Sequence, residues 1–294
     1  MGVTLSYSGL SGKVKFFGTS GRFRTRYVKP LLLDTYPDAA VAYSLRKLRT
    51  AYTGAAIQVR RSTDGALLDI GFVNNVLDTT TLLTFIGANR ANVSIWYDQS
   101  GNNNNAAVPF NSTDAHTIVL AGVLQTQNGK PSINFVDGTR LEMTNQISAA
   151  VNNSLFLVGK ANSLSTGGPM IGQTSPGGSG PAMGQYLGTY LMLVYNGTNL
   201  SQYQSAAGTA DTNFNIISQY YTTGPVATMY KNNSIISNTL ETTYAASSYN
   251  FWNIGSHGGF QTRGFVSEVI LYKSNQLSNG TAINTNINSY YSIY

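Results

Sequence analysis

Trp96-Tyr97-Asp98-Gln99-Ser100-Gly101 is the stretch on which the rest of the chain turns. An apolar alternation from Val93 to Tyr97 leads into it, and the asparagine run Asn102 to Asn105 leads out. Val93 to Tyr97 reads as a strand, because alternating apolar side chains suit a half-buried sheet. An aromatic pair followed at once by Asp-Gln-Ser-Gly has two readings. It is a sheet edge presenting polar groups to a ligand, or it is a corner in which Asp98 bonds the N–H groups of its own turn.

Upstream of this stretch, Pro37-Asp38 reads as the opening of a helix. Asp38 caps it, and Val41, Leu45, Leu48 and Tyr52 recur at i, i+4, i+7 and i+11 on one face. That register leaves Arg46, Lys47 and Arg49 on the solvent side, and Gly54 ends the element. Ile57 to Arg60 alternates as a strand, with a turn at Asp64-Gly65. Asp78 caps a second short helix that buries Leu82, Leu83, Phe85 and Ile86 and stops at Gly87.

Beyond Asn105 the pattern is β. Strands are expected at Ser132–Phe135, Leu155–Val158, Tyr190–Tyr195, Ile216–Tyr221, Ala227–Lys231, Ser234–Ser237, Phe251–Ile254 and Phe265–Tyr272. Glycine-rich loops separate several of them, the longest at Gly167–Gly184. Tyr230 to Ser234 reads as a tight hairpin, since asparagine tolerates the positive φ of a two-residue turn. A last helix, Gly280 to Tyr291, carries Ile283, Ile287 and Tyr290 on one face. Many short strands with turn signals predict a β-sandwich with a few short helices. No composition break after residue 30 marks a second domain, so residues 31–294 read as one unit.

Residues 1–30 differ from the rest. They hold Lys13, Lys15, Arg22, Arg24, Arg26 and Lys29 and no acid, so the whole net charge of +6 comes from this segment. With its recurrent glycines and alternating basic and apolar residues, it reads as an extended docking arm. Nucleic acid, an anionic membrane or an acidic protein surface each satisfy its charge. Elsewhere the surface is nearly neutral. Only 10% of residues are charged, against roughly 25% in an average soluble domain; Asn, Ser, Thr, Gly and Tyr take their place. The chain has no cysteine, which leaves the redox compartment undetermined. It shows no apolar signal-peptide core and no run of membrane-spanning length.

The residue inventory excludes several chemistries. Two histidines without cysteines or an Asp-x-Asp cluster make no metal site, and no cofactor is expected. Phosphate-loop and dinucleotide fingerprints are absent, as is a nucleophile-elbow serine. Glycoside hydrolysis needs only two carboxylates across a groove, so it stays in contention. Carboxylates, however, are few: none occurs between Glu142 and Asp211, and only Glu241 and Glu268 follow. Glu268 falls on a strand, on the face that alternation shares with Val266 and Ile270.

Ala42-Tyr43-Ser44-Leu45-Arg46, Tyr52-Thr53-Gly54-Ala55, Ile57 to Ser62, Asp69-Ile70-Gly71-Phe72, Leu77-Asp78 and Trp96 to Asn102 occur in an order that resembles the catalytic domain of the fungal-type α-L-arabinofuranosidase B family. Gly129 to Ile133 and Ile287 to Tyr291 extend the likeness more weakly. The resemblance implies a concanavalin-like sandwich, of a kind also found in bacterial surface proteins and bacteriophage virion proteins. It also implies two carboxylates that this chain lacks at the matching places. Asn196 stands where the family's nucleophile is expected. His257, in Ile254-Gly255-Ser256-His257, stands where the family has its acid after Ile-Gly-Gly. The family's disulfide is missing too. The resulting expectation is a non-catalytic virion structural or adhesion protein, such as a head fibre, decoration protein or tail appendage. It would dock through residues 1–30 onto capsid or tail proteins and assemble as a homo-oligomer, a trimer for a fibre. A carbohydrate-binding module on a virion or bacterial surface is the alternative, and an active arabinofuranosidase the third reading. Trp96, Asp98, Asn196, Trp252 and His257 are the candidate glycan-facing residues.

Overall fold

The structure, a computed structural model, describes residues 29–109, 116–136, 140–148, 152–165, 167–173, 182–195, 200–222, 226–240, 250–257 and 260–294. Of the basic arm, Lys29 is described and is exposed; Lys13, Lys15, Arg22, Arg24 and Arg26 lie outside the described residues.

The strands form two layers, and every ladder within them is antiparallel. The back layer runs in the order Ser234–Leu240, Val226–Lys231, Asn215–Thr222, Asn153–Ala161, Gly264–Tyr272. The far edge of Gly264–Tyr272 is shared: Ala39–Ser44 pairs with its second half and Ile133–Phe135 with its first. Ile133–Phe135 also pairs with His116–Leu120, and so carries the hydrogen bonding into the front layer. There, Leu67–Ile70, Ile57–Arg61 and Ala91–Trp96 lie side by side. They continue through Ala106–Ala107, Leu141–Ser148, Asn250–Ile254, Gly167–Gly172, Ala182–Tyr186, Thr189–Tyr195 and Leu200–Gln204. The expected β-sandwich is therefore what the chain forms.

Two cores hold it together. Between the layers, Leu155, Leu157, Ile217, Val269 and Leu271 of the back meet Val59, Val93, Trp96, Ile171, Met192 and Ile254 of the front. The other face of the back layer is also buried. Phe156, Ile216, Ile270 and Tyr272 pack against the helix Gly280–Tyr291 and the one-turn helix Leu32–Thr35. The long helix has the bounds read from the sequence and buries Gly280, Ile283, Asn284, Ile287 and Tyr291, the two isoleucines each worth about 1.5–3 kcal/mol. Tyr290, expected on that face, is only partly buried. The helix Thr79–Ile86 forms where it was read, with the Asp78 carboxylate accepting from the Thr81 N–H at 3.0 Å, but of its expected face only Leu82 and Ile86 are buried, while Leu83 and Phe85 are half-buried. In the Lys231–Ser234 hairpin both Asn232 (φ 51°) and Asn233 (φ 65°) take the left-handed conformation expected of them.

Other expectations need correction. Residues from Ala39 to Ser44 are a strand, not the start of a helix, and Asp38 has φ +66° rather than capping anything. The strand lies between the two cores: Val41 and Tyr43 face the front layer, while Ala42 faces the helices. A strand apolar on both faces loses its period of two, and the spacing of Val41, Leu45 and Leu48 imitated a helix. Arg46, read as solvent-facing, is only 8% exposed. The glycine-rich segment Gly167–Gly184 holds the strand Gly167–Gly172 and the start of Ala182–Tyr186. Its glycines answer to crowding: a Cβ on Gly184, whose φ is +147°, would sit 2.3 Å from the Pro169 carbonyl oxygen. Glu268 does not share a face with Val266. The ladder slips between Val158↔Glu268 and Gly159↔Val266, so Val266 enters the inter-layer core while Glu268 joins Ile270 beneath the terminal helix.

His116 supplies a pH dependence. It is fully buried, with its ring 4.4 Å from that of Phe135. Burial pushes its pKa down to about 4, against a hydrogen bond to the Arg140 backbone that works to raise it. Between pH 6.5 and pH 4 the unfolded chain takes up a proton that the folded chain refuses. The stability that neutral His116 contributes is complete above pH 6.5 and is lost as the pH falls towards 4. Urea unfolding at pH 7 and pH 4.5 should show a loss about 2–3 kcal/mol smaller in His116→Phe than in the parent. Equal losses in the two proteins would refute it.

Candidate functional site

The Trp96–Gly101 stretch closes on itself. Trp96 is fully buried, its ring tilted on Tyr43 with centroids 5.9 Å apart, so it has no face for a sugar. Asp98 is 2% exposed and both its oxygens are occupied. Oδ1 accepts from the N–H groups of Ala42 and Ser100, each at 2.9 Å. Oδ2 accepts from Ser100 Oγ at 2.7 Å and the Asn104 N–H at 3.1 Å. Gln99, also fully buried, donates through Nε2 to the carbonyls of Ser44 and Arg46, and its Oε1 accepts from the Leu48 N–H. The asparagine run completes the clasp. Asn102 Nδ2 donates to the Ala39 and Ala40 carbonyls, and Asn105 Oδ1 accepts from the Asp98 N–H. Of the two readings of this stretch, the corner is the one whose bonds are present.

Glu268 is equally committed. Arg46 grips it with two bonds, Nε to Oε2 at 2.8 Å and Nη2 to Oε1 at 2.9 Å. Ser44 Oγ donates to it at 2.7 Å, and the Tyr291 hydroxyl at 3.3 Å. Arg46 in turn donates through Nη1 to Asn286 Oδ1 and lies under the Tyr290 ring at 5.4 Å. Burial alone would lower the Arg46 pKa; the Glu268 charge and its hydrogen bonds outweigh that, and the pKa is raised. The carboxylate is 0% exposed and touches no groove. Sequence reasoning had both residues and missed the pair.

The outward face of the front layer is the surface a ligand would meet. Cross-strand register places Gly172, Asn253, Glu142, Ala107, Ile95, Gln58 and Asp69 in one transverse row. Its floor near Gly172 and Ala182 is made of small residues, with Leu191 and Leu193 as an apolar cluster beside it. Glu142 is a quarter exposed and paired with Arg140, Nη2 to Oε1 at 2.6 Å. The alternation of Leu141 and Met143 with Glu142 was a signal for this strand that sequence reasoning passed over. Asp69, at the far end, accepts from the Tyr97 hydroxyl at 2.8 Å and from Gln58 Nε2 at 3.1 Å. Burial first, and then this bond, raise the Tyr97 pKa to about 12.

Trp252 is half-buried in the strand Asn250–Ile254, next to Asn253, whose Oδ1 accepts from the Ser256 N–H at 3.0 Å. His257 lies in the two-residue strand Ser256–His257, opposite Phe260. Asn196 lies outside the described residues, one position beyond the strand Thr189–Tyr195. Trp96 and Asp98 are not on the face at all. Among the described residues no group of three histidines or acids is placed to hold a metal.

The family model of the α-L-arabinofuranosidase B catalytic domain matches residues 34–123, from the helix Leu32–Thr35 through the Trp96–Gly101 corner to the Leu120–Val123 turn. The chain carries a module like the arabinofuranosidase B catalytic domain. This arabinofuranosidase B-like module also resembles solved structures well beyond the matched segment. One is a GH54 α-L-arabinofuranosidase soaked with a cyclic sulfate inhibitor, with a TM-score of 0.62 at 14% identity. Another is an arabinofuranosidase complexed with arabinofuranosyl-α-1,2-xylobiose, with a TM-score of 0.59 at 15% identity. Each likeness covers 87% of this chain and 64% of the other, so the chain spans less than two thirds of those enzymes. At such identity the likeness establishes the fold. No curated protein matches the chain in sequence.

Proposed function

We propose that this chain is a non-catalytic, carbohydrate-recognising sandwich that serves as a structural or adhesion protein of a bacteriophage virion. The spacing of the carboxylates on its outward face, taken among the described residues, carries the reading; Asp114, Asp137 and Glu241 lie outside them. Glu142 and Asp69 stand four strands apart in the transverse row, or about 19 Å at ~4.8 Å per strand. Two-carboxylate hydrolysis works at separations of roughly 5–9.5 Å. Glu268, on the other face of the other layer, is sealed by Arg46. The likeness to glycoside hydrolases and a floor of small residues beside the apolar Leu191 and Leu193 support sugar recognition on this face. The one-sided basic arm and the low-charge Asn/Thr/Tyr surface support the virion setting, with the arm as the contact to capsid or tail proteins.

The first test is hydrolysis. The full chain, incubated with 4-nitrophenyl α-L-arabinofuranoside, should release no nitrophenol above the buffer rate, while a glycan array should return saturable signals. Turnover lost on Glu142→Gln would overturn the non-catalytic reading. The second test concerns the arm: removing residues 1–30 should abolish incorporation into particles and leave the melting temperature within a few degrees of the parent. Undiminished incorporation would remove the docking role.

A further inference from the structure

At the Ser100–Asn102 turn lies a cavity of about 390 Å³ that shares no lining residue with the front-layer row. That is at the small end of ligand pockets, which run roughly 300–1,000 Å³, and suits one small ring. Its lining combines three chemistries: the cations Arg49 and Lys273, the carboxylate Asp38, and the apolar Leu33, Pro37 and alanines 39 and 40.

The walls are tied in place before any ligand arrives. Asp98 and Asn102 fix the turn to the Ala39–Ser44 strand. Asp34 pins the short helix to Thr50 through the Thr50 N–H at 2.9 Å, and the Leu33 N–H donates to the Leu48 carbonyl. On the remaining side, the Tyr272 hydroxyl donates to the Tyr36 carbonyl and holds the strand end that carries Lys273. Arg49 donates through Nη1 to the Ser100 carbonyl at 2.8 Å. Its guanidinium lies directly on the Gly101 backbone: a Cβ there would come 2.4 Å from Nη1, and Gly101 has φ +100°. The φ of +100° makes glycine the residue for this turn, and its bare backbone lets the guanidinium lie close. A guanidinium has five N–H donors, so this one bond leaves others for a ligand.

We infer that this cavity is a binding site for an acidic sugar. A ring carboxylate would be taken by Arg49 and Lys273, hydroxyls would donate to Asp38, and the apolar ring face would rest on Leu33 and Pro37. Two cations against one acid favour an anionic ligand and disfavour the chain's own basic arm. The site is separate from the front-layer face and stands or falls apart from the reading given for it.

Calorimetric titration of the full chain with D-glucuronate tests this, with D-glucose and acetate as comparators. Glucuronate should bind saturably, and glucose and acetate each about tenfold more weakly. Arg49→Gln and the surface change Lys273→Ala should each weaken glucuronate by roughly tenfold, the usual worth of one charge-assisted hydrogen bond. Their melting temperatures should remain close to the parent's. Glucuronate binding untouched by Lys273→Ala and Arg49→Gln, acetate binding as tight as glucuronate, or no saturable binding of any of the three would each overturn the assignment. Glycan-array signals on the front-layer face would persist in both variants whichever way this test falls.

Discussion

Arg46→Met should destabilise the folded chain by about 3–5 kcal/mol, the usual cost of leaving one member of a buried ion pair without its partner. The substitution removes both bonds to the Glu268 carboxylate and the bond to Asn286 that links the pair to the terminal helix. Glu268, still at 0% exposure, would keep only the hydroxyls of Ser44 and Tyr291. Those are neutral donors, too few to replace the solvation of a full charge. The double variant Arg46→Met/Glu268→Leu should recover most of the loss, because an apolar pair of similar volume escapes the desolvation cost altogether. Urea unfolding of the three proteins at neutral pH measures both effects. A single-variant loss below about 1 kcal/mol would mean that water reaches Glu268 and that the pair is not sealed.

This pair also shows what the sequence could and could not disclose. Elements with one wet and one dry face were legible: Ile57–Arg61, the Lys231–Ser234 hairpin, and the helix ending at Tyr291 all follow from period and turn chemistry. Ala39–Ser44 was not, because both its faces are dry and periodicity carries no information there. Gly167–Gly172 looked like loop because its glycines answer to a neighbouring strand that local sequence cannot reveal. Arg46 and Glu268 stand 222 positions apart, and a one-residue slip in a ladder decides which core Glu268 enters. Candidate site residues suffered likewise. Glu142 was in plain view between Leu141 and Met143, yet its meaning depends on which strands separate it from Asp69, and that is a property of topology.

Asp98→Ala should cost more still, about 4–6 kcal/mol. The side chain accepts from three backbone N–H groups, those of Ala42, Ser100 and Asn104. Each of these, left unsatisfied in a buried place, costs about 1–3 kcal/mol. Asp98→Asn should fall between parent and alanine, since one oxygen can serve Ala42 and Ser100 while the amide nitrogen opposes the donors that Oδ2 now accepts. A bond lost here releases several segments at once, because the same turn holds Ala39 and Ala40 through Asn102 and the Leu48 N–H through Gln99. The two readings of Asp98 make opposite forecasts for this variant. A ligand-contacting aspartate would leave the unfolding midpoint almost unchanged and abolish binding. A corner-forming aspartate lowers the midpoint steeply, and the glucuronate affinity of molecules still folded falls only as far as the Ser100–Asn102 wall loosens. Measuring the midpoint and the affinity on the same preparation separates them, and a stable Asp98→Ala protein would return this residue to the list of binding candidates.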